Sequence, residues 1–317
     1  MVRYLIKRLL LAVLTLWILA TIVFVMVNLL PGNVGRQILG PFAPPSEVTK
    51  FNHAIGTDRP LISQYGHALK NLATLNFGTS YQFNKPVNDL VRPAMFRSGK
   101  LAVLALLITV PLGIVAGTIA ARRRDKLADR FIVTTGLAAS STPEFVTAAI
   151  ISWLFTIELR WGHVFADPPA GTSVIGQVRY LIFPAFALVI VYFGYIARMT
   201  RAGVIAAMES DYTRTAVMKG LSARKVMMKH VMRNALGPTI SVVGVQVGYL
   251  FGGILGVELI FNYHGLGSVL QAAIGKHDLP VLQGAVLSIG VIYMLATLAA
   301  DLLIAWLNPR VLAQVKR

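Results

Sequence analysis

The sequence predicts an all-α polytopic membrane protein of six transmembrane helices, with N and C termini cytoplasmic and a small extracytoplasmic helical loop region after the first helix. Three observations predict it. Of 317 residues, 56% are hydrophobic and only 14% charged, with a mean hydropathy of +0.66, against roughly a quarter charged in an average soluble domain. Apolar runs long enough to cross about 30 Å of hydrocarbon recur along the chain. The 30 lysines and arginines, which with 13 acids give a net charge of +17, interrupt those runs instead of being spread through them.

The first run, residues 9–30, has only Thr15, Thr21 and Asn28 as polar side chains, and Pro31-Gly32 stops it. It exceeds the roughly 7–15 residues of a signal-peptide core, and no A-x-A site follows, so it is expected to remain as an anchor. Residues 101–121 form the second run, ended by Arg122-Arg123-Arg124. The third, 131–157, is interrupted by Ser140-Ser141-Thr142-Pro143-Glu144; the fourth, 181–197, is short; the fifth, 239–261, is rich in glycine; the sixth is 281–307. The first two runs lack the polar face that a buried helix of a soluble protein would carry.

Orientation follows from the basic residues. The N-terminal tail, the second and fourth gaps and the C-terminus together carry 19, among them Arg122, Arg130, Arg198, Arg214 and Lys229. The third gap carries Arg160 and Arg179 and the fifth Lys276, while the first gap, with eight, is too long for the rule to count. Lysine and arginine at a cytoplasmic lipid surface explain the basic balance, so nucleic acid is not an expected partner. The long first gap is structured: Leu61, Ile62, Tyr65, Ala68, Leu69 and Leu72 recur at helical spacing after the turn signal Asp58-Arg59-Pro60. Domain organisation is therefore 1–30, cytoplasmic tail and first helix; 31–100, extracytoplasmic loop region; 101–317, a five-helix core with a cytoplasmic loop at 198–236.

Enzyme chemistry finds little support. No G-x-x-x-x-G-K-[ST] or G-x-S-x-G occurs, the six histidines never fall at H-x-x-x-H spacing, and cysteine is absent. No catalytic, cofactor or metal residue is assigned. Glu144, Glu258 and Asp301 sit in or beside apolar runs, where a carboxylate is costly and faces a cavity or a partner. A proton or cation path is one reading of them; structural contacts, with Glu144 marking the bend at Pro143, are the other.

The loop 198–236 carries the strongest local pattern. Asp211 opens a short helix that Gly220 can end in the left-handed conformation, and Ser222 can cap a second helix with Lys225, Lys229 and Arg233 as a basic stripe four residues apart. That stripe suits the headgroup level of a bilayer.

The stretch Asp211-Tyr212-Thr213-Arg214-Thr215-Ala216-Val217-Met218-Lys219-Gly220-Leu221-Ser222 and its continuation to Gly237-Pro238 resemble the cytoplasmic loop of ABC importer inner-membrane permeases of the dipeptide/oligopeptide/nickel family. Leu30-Pro31-Gly32, Asp58-Arg59-Pro60, Phe77-Gly78-Thr79-Ser80-Tyr81, Ser141-Thr142-Pro143-Glu144, Asp278-Leu279-Pro280 and Asn308-Pro309-Arg310 extend the resemblance along nearly the whole chain. Asn33-Val34 departs from the usual Asp-Pro, and Asn308 stands where Asp is common. The resemblance implies an inner-membrane, multi-pass, non-catalytic subunit that works with a homologous second permease, two ABC ATPase subunits and an extracytoplasmic substrate-binding protein. ATP and Mg would be bound by the ATPases, with no cofactor in this chain. Arg214, Thr215, Ala216, Lys219 and Gly220 would form the ATPase-coupling element, and peptides would be the substrate, with nickel, glutathione or oligosaccharide as alternatives. Helical position alone marks Gln246, Tyr249 and Tyr293 as translocation-path candidates. A proton-coupled secondary transporter and a polytopic membrane enzyme are the competing classes.

Overall fold

The computed structural model describes residues 2–29, 33–161, 165–169 and 171–307. Leu30-Pro31-Gly32 and Asn308-Pro309-Arg310 lie outside the described residues, as do the basic residues after 307. Among the described residues the regular structure is helical, apart from one isolated antiparallel bridge between Thr79 and Pro86.

The elements are α1 (Val2–Leu29), α2 (Val34–Leu39), α3 (Pro45–Ile55), α4 (Leu61–Thr74), α5 (Val87–Arg122), α6 (Leu127–Ser140), α7 (Glu144–Ile151), α8 (Val174–Met208), α9 (Asp211–Met218), α10 (Ala223–Lys225), α11 (Met232–Ile260), α12 (Leu266–Gly275) and α13 (Leu279–Leu307). Among the described residues, five helical stretches are long and apolar enough to cross a membrane: Ile6–Met26, Val87–Arg122, Val174–Met208, Ala223–Ile260 and Leu279–Leu307.

Three expectations change in detail. The short fourth run, 181–197, is the middle of α8, a 35-residue helix, because Gln177, Arg179, Arg198 and Arg201 end the apolar run without breaking backbone hydrogen bonding. The helix expected after Ser222 is not separate from the run at 239–261: a π-helical stretch, Val226–Val231, joins α10 to α11 as one span, Ala223–Ile260. The third run is no single long helix. Pro143 lacks an N–H and disfavours helical geometry at Thr142, so the chain stops at Ser140 and restarts as α7, which passes into a π-helical stretch, Ser152–Glu158.

The chain forms two compact units. The first takes in residues 99–263 and 292–317 with the first five residues, and α8 is its centre, packed on α6, α7 and α11. Most of the apolar window of α8 is buried (61%), against 11% for α1 and for α13, which leaves those two helices open to lipid or protein. Close approach rests on small residues, as in other membrane helix pairs: a Cβ on Gly136 of α6 would come within 3.0 Å of the Gly194 Cα on α8.

The second unit comprises residues 6–98 and 264–291. Its helix α4 covers the residues whose helical spacing followed the turn signal Asp58-Arg59-Pro60, and α2 and α3 precede that signal. The Tyr65 hydroxyl on α4 lies 2.7 Å from the Thr21 hydroxyl on α1, and its ring packs 5.2 Å from that of Phe24. At the opposite end of the sequence, Asp278 is wholly buried and accepts from the Ser80 hydroxyl at 2.5 Å and from the backbone N–H groups of Tyr81 and Gln82.

Candidate functional site

Two places in the first unit carry the predicted site residues. One is α9. Where α8 ends, the hydroxyls of Ser210 and Thr213 both donate to the Ala207 carbonyl, at 2.6 and 2.7 Å, which satisfies a free helix-end acceptor and fixes the turn into α9. Thr213 and Ala216, three residues apart, form the buried stripe of α9. Ala216 sits in an apolar cluster with Val204, Ala207, Val226, Val231 and Ala235.

The other face of α9 is exposed: Tyr212, Arg214, Thr215, Val217 and Met218, followed by Lys219. Its exit is a Schellman turn, with Gly220 N–H donating to Val217 and Leu221 N–H to Ala216. Gly220 has φ +74 and open space where a Cβ would stand, so a side chain there would be opposed by backbone conformation and not by a clash. The five predicted coupling residues thus divide: Arg214, Thr215, Lys219 and Gly220 are exposed, whereas Ala216 packs inward and supports the helix.

Two ion pairs brace the surroundings of α9. Arg124, just after α5, reaches Glu209 at 2.7 Å. Asp129 at the start of α6 is buried and takes a two-pronged contact from Arg201 of α8, from Nε at 2.5 Å and Nη2 at 2.6 Å, plus the Asp125 N–H at 2.9 Å. The Arg201 hydrogen bonds hold the Asp129 carboxyl below the usual carboxylate range, against the opposing effect of burial.

The second place is a cavity of about 370 Å³ at the break between α6 and α7. The hydroxyls of Ser141 and Thr142 donate back to the Leu137 and Ala138 carbonyls, which also accept the Ser141 N–H, and so tighten the end of α6 just before Pro143. Glu144 follows at the first turn of α7, where the helix dipole favours a carboxylate, and accepts from the Tyr192 hydroxyl at 2.9 Å. Tyr195 lies one turn along α8 on the same wall, and α11 supplies Gln246 and Tyr249. Gly253 makes room for Glu144, since a Cβ there would stand 2.7 Å from the carboxyl carbon.

Of the three translocation candidates, Gln246 and Tyr249 line this cavity and Tyr293 does not. Gln246 is buried, and its Nε2 has no hydrogen-bond partner among the described residues; Tyr249 is exposed. The Tyr293 ring lies instead against Gly248 of α11. Of the acids in apolar runs, Glu144 faces the cavity, Glu258 is wholly buried on α11, and Asp301 is half-buried on α13. Sequence reasoning missed Tyr192 and Tyr195 as cavity residues, although two tyrosines three apart inside an apolar run are the signal that could have found them.

Comparison with known proteins agrees along the chain. Residues 110–313 match the model of the binding-protein-dependent transport system inner membrane component, and residues 1–94 match that of its N-terminal region. A dipeptide transport system permease protein of Alkalihalophilus pseudofirmus is 33% identical, covering 98% of this chain and 99% of its own. The glutathione transport system permease protein of Escherichia coli K12 is also 33% identical, over 98% of this chain and 99% of its own. The chain belongs to the binding-protein-dependent transport system inner membrane components, the non-catalytic, multi-pass permeases of ABC importers in the inner membrane.

Proposed function

We propose that this permease imports short peptides, and that α9 transmits the ATP-driven motion of separate ATPase subunits to the helices around the α6/α7 cavity. The observation that carries the coupling role is the division of α9 into a buried Thr213/Ala216 stripe joined to α8 and an exposed face of Tyr212, Arg214, Val217 and Met218. A short helix anchored to a long one moves with it as a rigid body. A homologous second permease, two ABC ATPases and an extracytoplasmic binding protein complete the assembly, and ATP and Mg belong to the ATPases. The peptide reading is supported by relatives named for dipeptide and glutathione transport, both short peptides in the chemical sense. Membership in an ATP-driven family leaves no need for the proton-coupled alternative built on Glu144 or Asp301.

In this reading the five long helices and the broken pair α6/α7 make six crossings, with both termini cytoplasmic. Residues 1–30, 31–100 and 101–317 then act as anchor, outer region and core. Gln246 and Tyr249 contact the passing substrate, and Tyr293 supports α11 from behind. A reporter at Ser222 should be cytoplasmic and one at His277 extracytoplasmic; the reverse at either position would break the topology.

Coupling is tested by Gly220→Val. A β-branched residue at positive φ costs roughly 1 kcal/mol or more, which should redirect the end of α9 without unfolding the membrane helices. Co-purification of ATPases with the tagged permease should fall, and substrate-stimulated ATP hydrolysis in proteoliposomes should fall with it. Unchanged recovery and unchanged stimulation would rule out α9 as the coupling element.

A further inference from the structure

The second unit contains a cavity of about 520 Å³ formed by α1, the α2 to α4 helices, Tyr81 and the first turn of α13. Its volume is within the range of about 300–1,000 Å³ typical of small-molecule sites. The walls combine three kinds of group: opposite charges on adjacent residues, Asp58 and Arg59; side-chain amides from three separate helices, Asn28, Asn71 and Gln283; and an apolar floor that includes Phe24 and Leu279.

The charged corner is held in place. Gly56 ends α3 at φ +76 and turns the chain so that residues 57–59 border the cavity. Gln64 of α4 clasps that turn by donating to the carbonyls of Thr57 and Arg59. Asp58 accepts from His53 Nδ1 at 2.6 Å, and Arg59 Nη1 donates to His67 Nε2 at 3.4 Å. Asn52 bridges Asn33 and the Gly35 N–H, which fixes the start of α2 against α3. A carboxylate and a guanidinium at one corner, with amides across the space, match a ligand that carries an ammonium, a carboxylate and peptide groups between them. Amides both donate and accept, as peptide groups require. A metal ion would find one carboxylate and one imidazole, Asp58 and His67, both already engaged, and a lipid tail would find too many amides.

We propose that this cavity is a second, low-molecular-weight binding site for a free short peptide, separate from the cavity at the α6/α7 break, with Asp58 and Arg59 receiving the peptide's charged ends and Asn71 and Gln283 its backbone. The proposal rests on the peptide-import reading for the choice of ligand. A site of this kind in the outer region would hold substrate near the permease in the absence of the binding protein.

The test is binding of labelled trialanine to the assembled transporter in lipid nanodiscs without its binding protein. In parallel, trialanine uptake is measured in proteoliposomes with the binding protein present. The wild type should bind saturably. Arg59→Gln, which alters an exposed side chain, should weaken binding about tenfold or more, as expected for loss of a charged hydrogen bond, while Glu47→Gln, at an exposed position of α3 that lines neither cavity, should leave it unchanged. A benzophenone side chain at position 283 should crosslink to trialanine. Absence of saturable binding with uptake intact would overturn this site and leave the import reading standing. Binding with no uptake would overturn the import reading and leave the site. Binding that Gln246→Ala abolishes and Arg59→Gln spares, or crosslinking from position 283 only to the binding protein, would also overturn the proposal.

Discussion

Asp129 in the first unit and Asp278 in the second are both almost fully buried, yet they are held by opposite means. Asp129 faces a full positive charge, the Arg201 guanidinium, across two helices. Asp278 has as its nearest donors a serine hydroxyl and two backbone N–H groups from the loop before α5. The first arrangement is a mutual dependence: removing Arg201 leaves a buried carboxylate behind, and removing Asp129 leaves a guanidinium that is only 26% exposed. The second is a loop organised around one acceptor, in which each donor is neutral and the loss is spread over several hydrogen bonds. The contact between α6 and α8 in the first unit is thus braced by charge, and the loop before α5 in the second unit is braced by backbone geometry.

The largest expected effect follows directly. Asp129→Asn leaves a partly exposed Arg201 without its partner and should cost about 2–4 kcal/mol, at or below the roughly 3–5 kcal/mol of breaking a fully buried pair. Asp278→Asn keeps one acceptor but turns an amide N–H₂ toward donors, and should cost about 1–3 kcal/mol, the penalty for unsatisfied buried groups. Denaturant titration of the purified permease checks the order. Equal losses would remove the distinction between the two modes of bracing.

A second expectation separates the units by pH. With its folded-state pKa depressed by Arg201, Asp129 contributes stability that is fully present above the ordinary carboxylate range, near pH 4. That contribution is lost as pH falls through the depressed value, so this contact fails on the acid side. Tyr81 behaves in the opposite sense: burial first, and then the negative Asp278, push its phenol up to about 12. An unfolded tyrosine ionises near pH 10, so folding is penalised as pH rises from about 10 to about 12. Tyr81→Phe should flatten the alkaline loss of stability without altering the acid limb, and Asp129→Asn should do the reverse. Limited proteolysis across pH, with cleavage sites mapped to each unit, distinguishes the two.

These contrasts also mark what could be seen in the sequence. Long helices were visible because hydrocarbon requires about 20 apolar residues in a row, and the break at Pro143 was visible because proline acts locally. Helix ends were less so: α8 runs to Met208 and the α11 span begins at Ala223 because charged residues end an apolar run without ending a helix. The Gly220 turn was legible, since a left-handed helix exit depends on one residue. Contacts such as Glu144 with Tyr192, Asp129 with Arg201 and Ser80 with Asp278 were not, because they join residues 48, 72 and 198 positions apart. Nothing in local periodicity encodes such a meeting. The same limit explains the candidate site, where two of three residues chosen by helical position line the cavity and Tyr293 turns to Gly248.

The smallest effect on stability is expected from a third aspartate and arginine, and it sharpens the comparison most. Asp211 and Arg214 on α9 approach to 3.9 Å, but their side chains are 99% and 71% exposed. Water screens such a pair, and exposed helix pairs contribute about 0.3–0.5 kcal/mol at most. Arg214→Ala should therefore leave denaturant stability unchanged within about 0.5 kcal/mol, in contrast to the buried pair 13 residues earlier at Arg201. The arginine nonetheless stands on the exposed face proposed to meet the ATPase, where desolvation by a partner would strengthen its contacts. Co-purification of the ATPases should then fall in Arg214→Ala although the isolated permease is as stable as before. If stability falls with attachment, Arg214 braces α9 as Arg201 braces α8. If neither changes, the docking surface is carried by Tyr212, Val217 and Met218 without it.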